Sequence, residues 1–332
     1  MRAIGWLIAC TLGGTLLAAQ PEDELYRPQA DVEADPPAFY SPKLYEEIGL
    51  AKDSGGYTEE EGKRFVQPFL QYVASDPPRQ TRARHTLYIL PVGRTTELFC
   101  QHLRAIRVFL ETYLTLPVEL LPAVELGNPP SRLRPDSKEE ITQYESRFLL
   151  KNVVMPCRPD DAFSVLGLTL ENLYAENDKE WPGVGGTWQS NPPAAIYSLW
   201  PFPKSVRPSD ADYPQYLARS LRIAAMEAVH TFDIDPCRRY RCILSQSALD
   251  AHECIHLCPE DLKKLRWNVG FDLVDRYEAL WRLYARLGMK DEAAWVVKRI
   301  QECRQAPPAP AKEASPAPAP EEKEKNETPD TP

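Results

Sequence analysis

The stretch "AAMEAVHTFDIDPCRRYRC", Ala224 to Cys242, decides how this chain is read. It ends an apolar helical stripe formed by Leu217, Leu221, Ala225, Ala228 and Phe232, which recur at helical spacing. That helix is expected to start near Asp212, with Pro214 in its first turn. After the helix comes a cysteine loop, Cys237-x4-Cys242, and then Cys254-x3-Cys258. These spacings are close to those of closed structural zinc sites. Disulfides compete for the same thiols if the chain is exported. Either way the loop following the helix is expected to be pinned.

Working outward, the middle of the chain alternates strands and helices. "HTLYILPVG" reads as a strand ended by Pro91 and Gly93, and "TELFCQHLRAIRVFLETYL" as an amphipathic helix. "PVELLPAVEL" reads as a second strand and "KEEITQYESRFLLKNV" as a second helix. Two more strands are expected, a buried one over Phe163 to Leu168 and one in "AAIYSLWPF". Past the cysteine loop, Leu273, Val274, Tyr277, Leu280, Trp281 and Tyr284 share one helical face, and a shorter helix spans Asp291 to Glu302. The order β-α-β-α-β-β followed by helices indicates an α+β domain with a mixed sheet.

The ends differ in composition. The chain has 332 residues, 33 of them proline, and much of the proline lies outside the middle. "MRAIGWLIACTLGGTLLAAQ" carries one early Arg and an apolar run to Ala19, the layout of a secretory signal over 1–19. "LIAC" also reads as a lipid-attachment box, and the run nearly reaches the ~20 residues of an uncleaved membrane anchor. All three readings place the protein outside the cytosol: periplasmic, secreted or membrane-anchored. Residues 20–84 form a Pro/acidic lead-in with one short helix. Residues 305–332 form a Pro/Ala/Glu tail that cannot bury a core. A net charge of −9 without a basic stripe excludes nucleic acid as the main partner, and membrane contact is expected only through the N-terminus.

At "MEAVHTFDIDPCRRYRCIL", "LCPEDLKKL" and "VGFDLVDRYEALW" the chain resembles the archaemetzincins, metzincin-clan zinc peptidases. Their pattern is H-E-x-x-H-x-x-G-x-x-H-C-x-x-x-x-C-x-M followed by C-x-x-C. "LYILPVG", "DAFSVLGLTLENLYA" and "AIYSLWPF" resemble family segments in the same order, so the likeness runs over 85–288, with 289–304 a terminal helix. It implies a metzincin-like domain with an active-site-type helix and a helical C-terminal subdomain. It also implies two metal sites, and the chain departs from both. The general-base glutamate is Glu227 and the second histidine His230, but Met226 and Pro236 stand where the first and third histidines belong. Asp233 takes the place of the glycine and Leu244 that of the Met-turn methionine. In the second site Cys237, Cys242 and Cys258 match three cysteines, and Asp261 replaces the fourth. Cys254 or His256 could stand in for it.

A zincin grips its ion with imidazoles at i and i+4 on one helix face plus a third ligand beyond, leaving one position for water. The metal acidifies that water and the glutamate takes its proton. Met226 is a poor zinc ligand, and Pro236 offers no side-chain donor. The leading expectation is therefore a protein without peptidase activity, keeping a structural zinc and a cleft for an extended peptide along the "AAIYSLW" edge strand. The alternative is an active, aminopeptidase-like metallopeptidase rearranged around Glu227 and His230, with Asp233 or Asp235 as carboxylate ligands. A third reading is a purely structural envelope-associated domain. Cys100, Cys157 and Cys303 read as packing residues. His85, His102 and His252 form no constellation, and "GVGG", Gly183 to Gly186, is a loop and not a phosphate cradle.

Overall fold

The computed structural model describes residues 24–41, 67–134, 138–175, 185–200, 210, 213–237, 239–240, 242–245 and 254–305. The N-terminal segment, the Pro/Ala tail, Asp212 and His252 lie outside them. Among the described residues no helix is long and apolar enough to cross a membrane.

A short helix α1 (Phe69–Ala74) leads into β1 (Thr86–Val92), α2 (Glu97–Leu114) and β2 (Val118–Leu120). Next come β3 (Ser131–Leu133), β4 (Thr142–Glu145), α3 (Ser146–Leu149), β5 (Ala162–Thr169), β6 (Asn172–Tyr174), β7 (Gly186–Ser190) and β8 (Pro193–Ser198). Four helices complete the order: α4 (Tyr213–His230), α5 (Pro259–Val269), α6 (Leu273–Leu287) and α7 (Lys290–Gln305). The main sheet runs β2-β1-β5-β8-β7, parallel except for the antiparallel β7, and β3-β4-β6 form a small mixed sheet. This is an α+β fold. Its central strand β5 is buried at all eight positions, as a strand covered on both faces must be.

The sequence expectations need five corrections. Pro91 lies inside β1 and does not end it. The β2 register stops at Ile89 opposite Leu120, so the missing N–H of Pro91 removes no bond of that ladder. "ITQYE" is a strand, and the helix begins only at Ser146. Gln143 and Tyr144 are paired on both sides, by β3 and β6, which overrides the acidic helix-forming composition. Trp281 is 42% exposed, because α6 turns its Arg276 and Leu283 side inward instead. The terminal helix is longer than expected, running through Gln305.

The fifth correction bears on function. β8, the "AAIYS" strand, is not an edge. β7 pairs with it from Gly186 opposite Tyr197 to Ser190 opposite Pro193, so β7 takes the outer position. Glycine makes this pairing possible. A Cβ on Gly186 would come 2.2 Å from the Ile196 carbonyl, and one on Gly185 would come 2.2 Å from the Tyr197 hydroxyl.

One large core unites the sheet face with α2, α4, α5, α6 and α7. The lead-in contributes to it: Phe39 is 1% exposed and stacks on Tyr277, and Tyr72 is wholly buried. Val296 and Ile300 of α7 lie in the same core.

Candidate metal centre and the end of helix α4

The C-terminal half of α4 is buried on every side from Ser220 to His230, so its polar residues must find partners inside the protein. His230 does so twice. Its Nδ1 lies 2.7 Å from the Ile234 carbonyl oxygen, and its ring stacks on Trp188 of β7 at 4.3 Å with planes 14° apart. The Nδ1–H donates to Ile234, which fixes the tautomer. Burial pushes the imidazole down to about 4, so it is neutral at physiological pH.

Glu227 is not so placed. It is buried, its Oε2 has no hydrogen-bond partner, and burial alone raises its carboxyl to about 8. Met226 is buried in the apolar core beside it. The turn beyond the helix is held from outside. Asp233 sits at φ +63°, a left-handed conformation that Asp tolerates better than most residues. The lead-in clamps this turn. Gln67 donates to the Asp233 carbonyl at 3.0 Å and accepts from the Asp235 N–H at 3.2 Å, while Tyr72 donates to the Phe232 carbonyl at 3.0 Å. Asp235 is exposed. Among the described residues no third His, Cys, Asp or Glu donor joins Glu227 and His230 in a metal-sized group.

The cysteine loop is built otherwise. The ligand atoms of Cys237, Cys242, Cys258 and Asp261 all lie within 4.8 Å of one another, and three of the four residues are buried. Backbone bonds set the loop: the Cys237 N–H donates to Leu244, the Ser245 N–H to Cys242, and the Ile243 N–H to His256. Cys258 precedes the first turn of α5, where the helix dipole favours negative charge. The Tyr240 N–H points at the Cys237 sulfur, 3.4 Å away.

The distances discriminate between metal and disulfide. Cys237 Sγ and Cys258 Sγ are 3.9 Å apart, far beyond the ~2.05 Å of a bond. A tetrahedral ion with Zn–S near 2.3 Å puts two sulfurs ~3.8 Å apart, and with a carboxylate oxygen near 2.0 Å the S···O edge is ~3.5 Å. Asp261 Oδ2 lies 3.1 Å from Cys258 Sγ and 3.4 Å from Cys242 Sγ. The four donors thus fit a closed S₃O zinc site. Hydrogen bonds from the neighbouring thiols hold the Cys237 thiol well below its ordinary value, while burial pushes Cys242 and Cys258 up. Burial raises Asp261 to about 6.

Cys254 and His256 stand outside this group. The Cys254 thiol donates to the His256 carbonyl, and the His256 ring stacks on Trp295 at 3.7 Å with its Nε2 2.6 Å from Glu292. Asp261, and not Cys254 or His256, is therefore the fourth member of the group. Cys100 and Cys157 are unbridged, and the side chain of Cys303 lies outside the described residues. Sequence reasoning missed Gln67 and Trp188, whose contacts span long stretches of chain, and also Lys264, which the i, i+3 spacing from Asp261 on α5 could have signalled. Lys264 Nζ lies 3.0 Å from Asp261 Oδ1.

No protein-family model matches the chain. Archaemetzincin-2 of Macaca fascicularis is 25% identical over 250 residues, covering 65% of this chain and 68% of that relative. Human archaemetzincin-2 is 26% identical over 251 residues, with the same coverage. The chain is distantly similar to archaemetzincins. Human archaemetzincin-1 is 26% identical over 252 residues but is matched over only 49% of its length, so the likeness spans about half of that protein. The solved archaemetzincin of Methanopyrus kandleri is 20% identical, with 62% of this chain and 98% of its own covered. Its TM-score of 0.36 is too low to bear on the fold.

Measured against the archaemetzincin pattern, the departures are taken up by packing and by the turn after α4. Met226 and Leu244 are apolar and buried, and Pro236 follows a turn fixed by the lead-in. The surviving archaemetzincin-type thiols, by contrast, converge with Asp261.

Proposed function

We propose that this archaemetzincin relative is an exported protein without peptidase activity, which binds one structural zinc through Cys237, Cys242, Cys258 and Asp261. It serves as a peptide-binding or structural domain. Support for the loss of catalysis is the donor set at the end of α4. Among the described residues His230 is the one imidazole there, and no third His, Cys, Asp or Glu donor joins it and Glu227 in a metal-sized group. Glu227 can take a proton from water only where a metal has acidified that water. Support for the structural zinc is the S₃O geometry. Because β7 and not β8 is the outer strand, an extended peptide would add to β7.

One observation favours the active alternative: Glu227 is buried, unpartnered and raised to about 8, as a general base near neutral pH would be. A single assay series separates the two. The mature protein and its Glu227→Ala variant are expected to be equally inert towards peptides, with or without a chelator. Restoring Met226→His and Pro236→His together should add one bound metal ion per chain. Cleavage that a chelator stops and Glu227→Ala abolishes would establish the active alternative. Cell fractionation with N-terminal sequencing of the mature chain tests export.

A further inference from the structure

A carboxylate in a closed thiolate site poses a problem that a fourth cysteine does not. It has two oxygens, and a tetrahedral ion needs one. Asp261 is 2% exposed, so a second oxygen without a partner would be a buried, unsolvated charge. Asp261 Oδ2 is the atom that faces Cys242 and Cys258. Oδ1 is the atom that meets Lys264 Nζ, at 3.0 Å, and both side chains of this pair are 3% exposed. The two residues lie three apart on α5, so one helix turn carries both the ligand and its partner. A buried lysine is itself expensive to retain without a charge to meet it, and Lys264 meets one by its ion pair with Asp261.

We infer that Lys264 is a positioning residue for the metal site. It holds Oδ1, so that Asp261 offers only Oδ2 to the ion, and it offsets part of the site's negative charge. Three thiolates and a carboxylate around a divalent ion leave two negative charges in a buried loop, and Lys264 reduces this to one. The proposal rests on the reading of the cysteine loop as a zinc site. Its selectivity follows: Lys264 matters because the fourth donor is an aspartate.

The test compares zinc affinity, by chelator competition, and the absorption of the cobalt-substituted protein. The variants are Lys264→Met and Lys264→Gln in the full chain, each made also in an Asp261→Cys background. Disturbing a partner of this kind costs about 10- to 100-fold in metal affinity. In the parent, both Lys264 variants should lose affinity by about that factor, and the cobalt ligand-field bands should shift as Asp261 changes its mode of binding. In the Asp261→Cys background the same substitutions should cost less than about threefold. Equal losses in both backgrounds would reduce Lys264 to a packing residue. Unchanged affinity and spectrum for Lys264→Gln would overturn the proposal even if Lys264→Met did not fold. A parent protein that binds no zinc would fail the zinc-site reading itself, a result distinct from either.

Discussion

Two regions of this molecule hold the same kinds of donor and treat them in opposite ways. At the end of α4 the imidazole has been absorbed into the structure, through Ile234 and Trp188, and the carboxyl beside it is isolated. In the cysteine loop the donors are turned towards one another, with the ligand atoms of the three thiols and Asp261 all within 4.8 Å of one another. A bound ion needs donors that converge: among the described residues the first region offers Glu227 and His230 with no third donor, and the second brings four ligand atoms together.

The sharpest way to break the comparison is Cys242→Ser. Structural zinc contributes on the order of 10 kcal/mol of binding free energy in small domains. Losing one of four ligands here should therefore destabilise the fold by at least ~3 kcal/mol, a fall of roughly 6 °C or more in Tm. An unchanged Tm would sink the structural role of the loop.

His230→Ala comes next. It removes a buried ring, its bond to Ile234 and the Trp188 stack, and should cost about 2–4 kcal/mol in denaturant unfolding, with a change in tryptophan fluorescence. Metal content should not change.

Glu227→Gln sharpens the contrast through pH. The folded carboxyl, at about 8, lies above its unfolded value, so its contribution is fully present at low pH and is lost as pH rises through 8. His230 works the other way: its folded value, about 4, lies below the unfolded one, so its contribution is lost as pH falls below 6.5. Of these two groups only the glutamate titrates between pH 6.5 and 8. There it should make the parent lose stability with rising pH at up to ~1.4 kcal/mol per unit, and the glutamine variant should lack that component. Parallel profiles for the two would place Glu227 in contact with solvent or a cation.

The smallest effect is expected from Gln67→Ala. It breaks two bonds to the turn after α4 and should cost about 1–2 kcal/mol without affecting zinc.

How much of this was legible in the sequence follows from range. The α4 stripe, the all-buried β5 and the thiol spacings are local patterns, and each appears where its periodicity or spacing put it. The choice between zinc and disulfide needed the 3.9 Å sulfur separation, which no spacing determines. The identity of the edge strand was missed because β7 is short, with a glycine and three polar residues, and is held by a hairpin pairing rather than by a hydrophobic pattern. "ITQYE" was misread because its strand state depends on β6, some thirty residues on. Gln67 and Trp188 act across about 170 and 42 residues of chain, beyond any local signal.

The central claim is that one metal site survives and that it is the cysteine loop. Elemental analysis of the purified mature protein, run beside its Cys242→Ser and His230→Ala variants, tests it most directly. The account predicts one zinc per chain in the parent and in His230→Ala, and none in Cys242→Ser. Two zinc ions per chain, or a single zinc that His230→Ala removes and Cys242→Ser leaves in place, would contradict it.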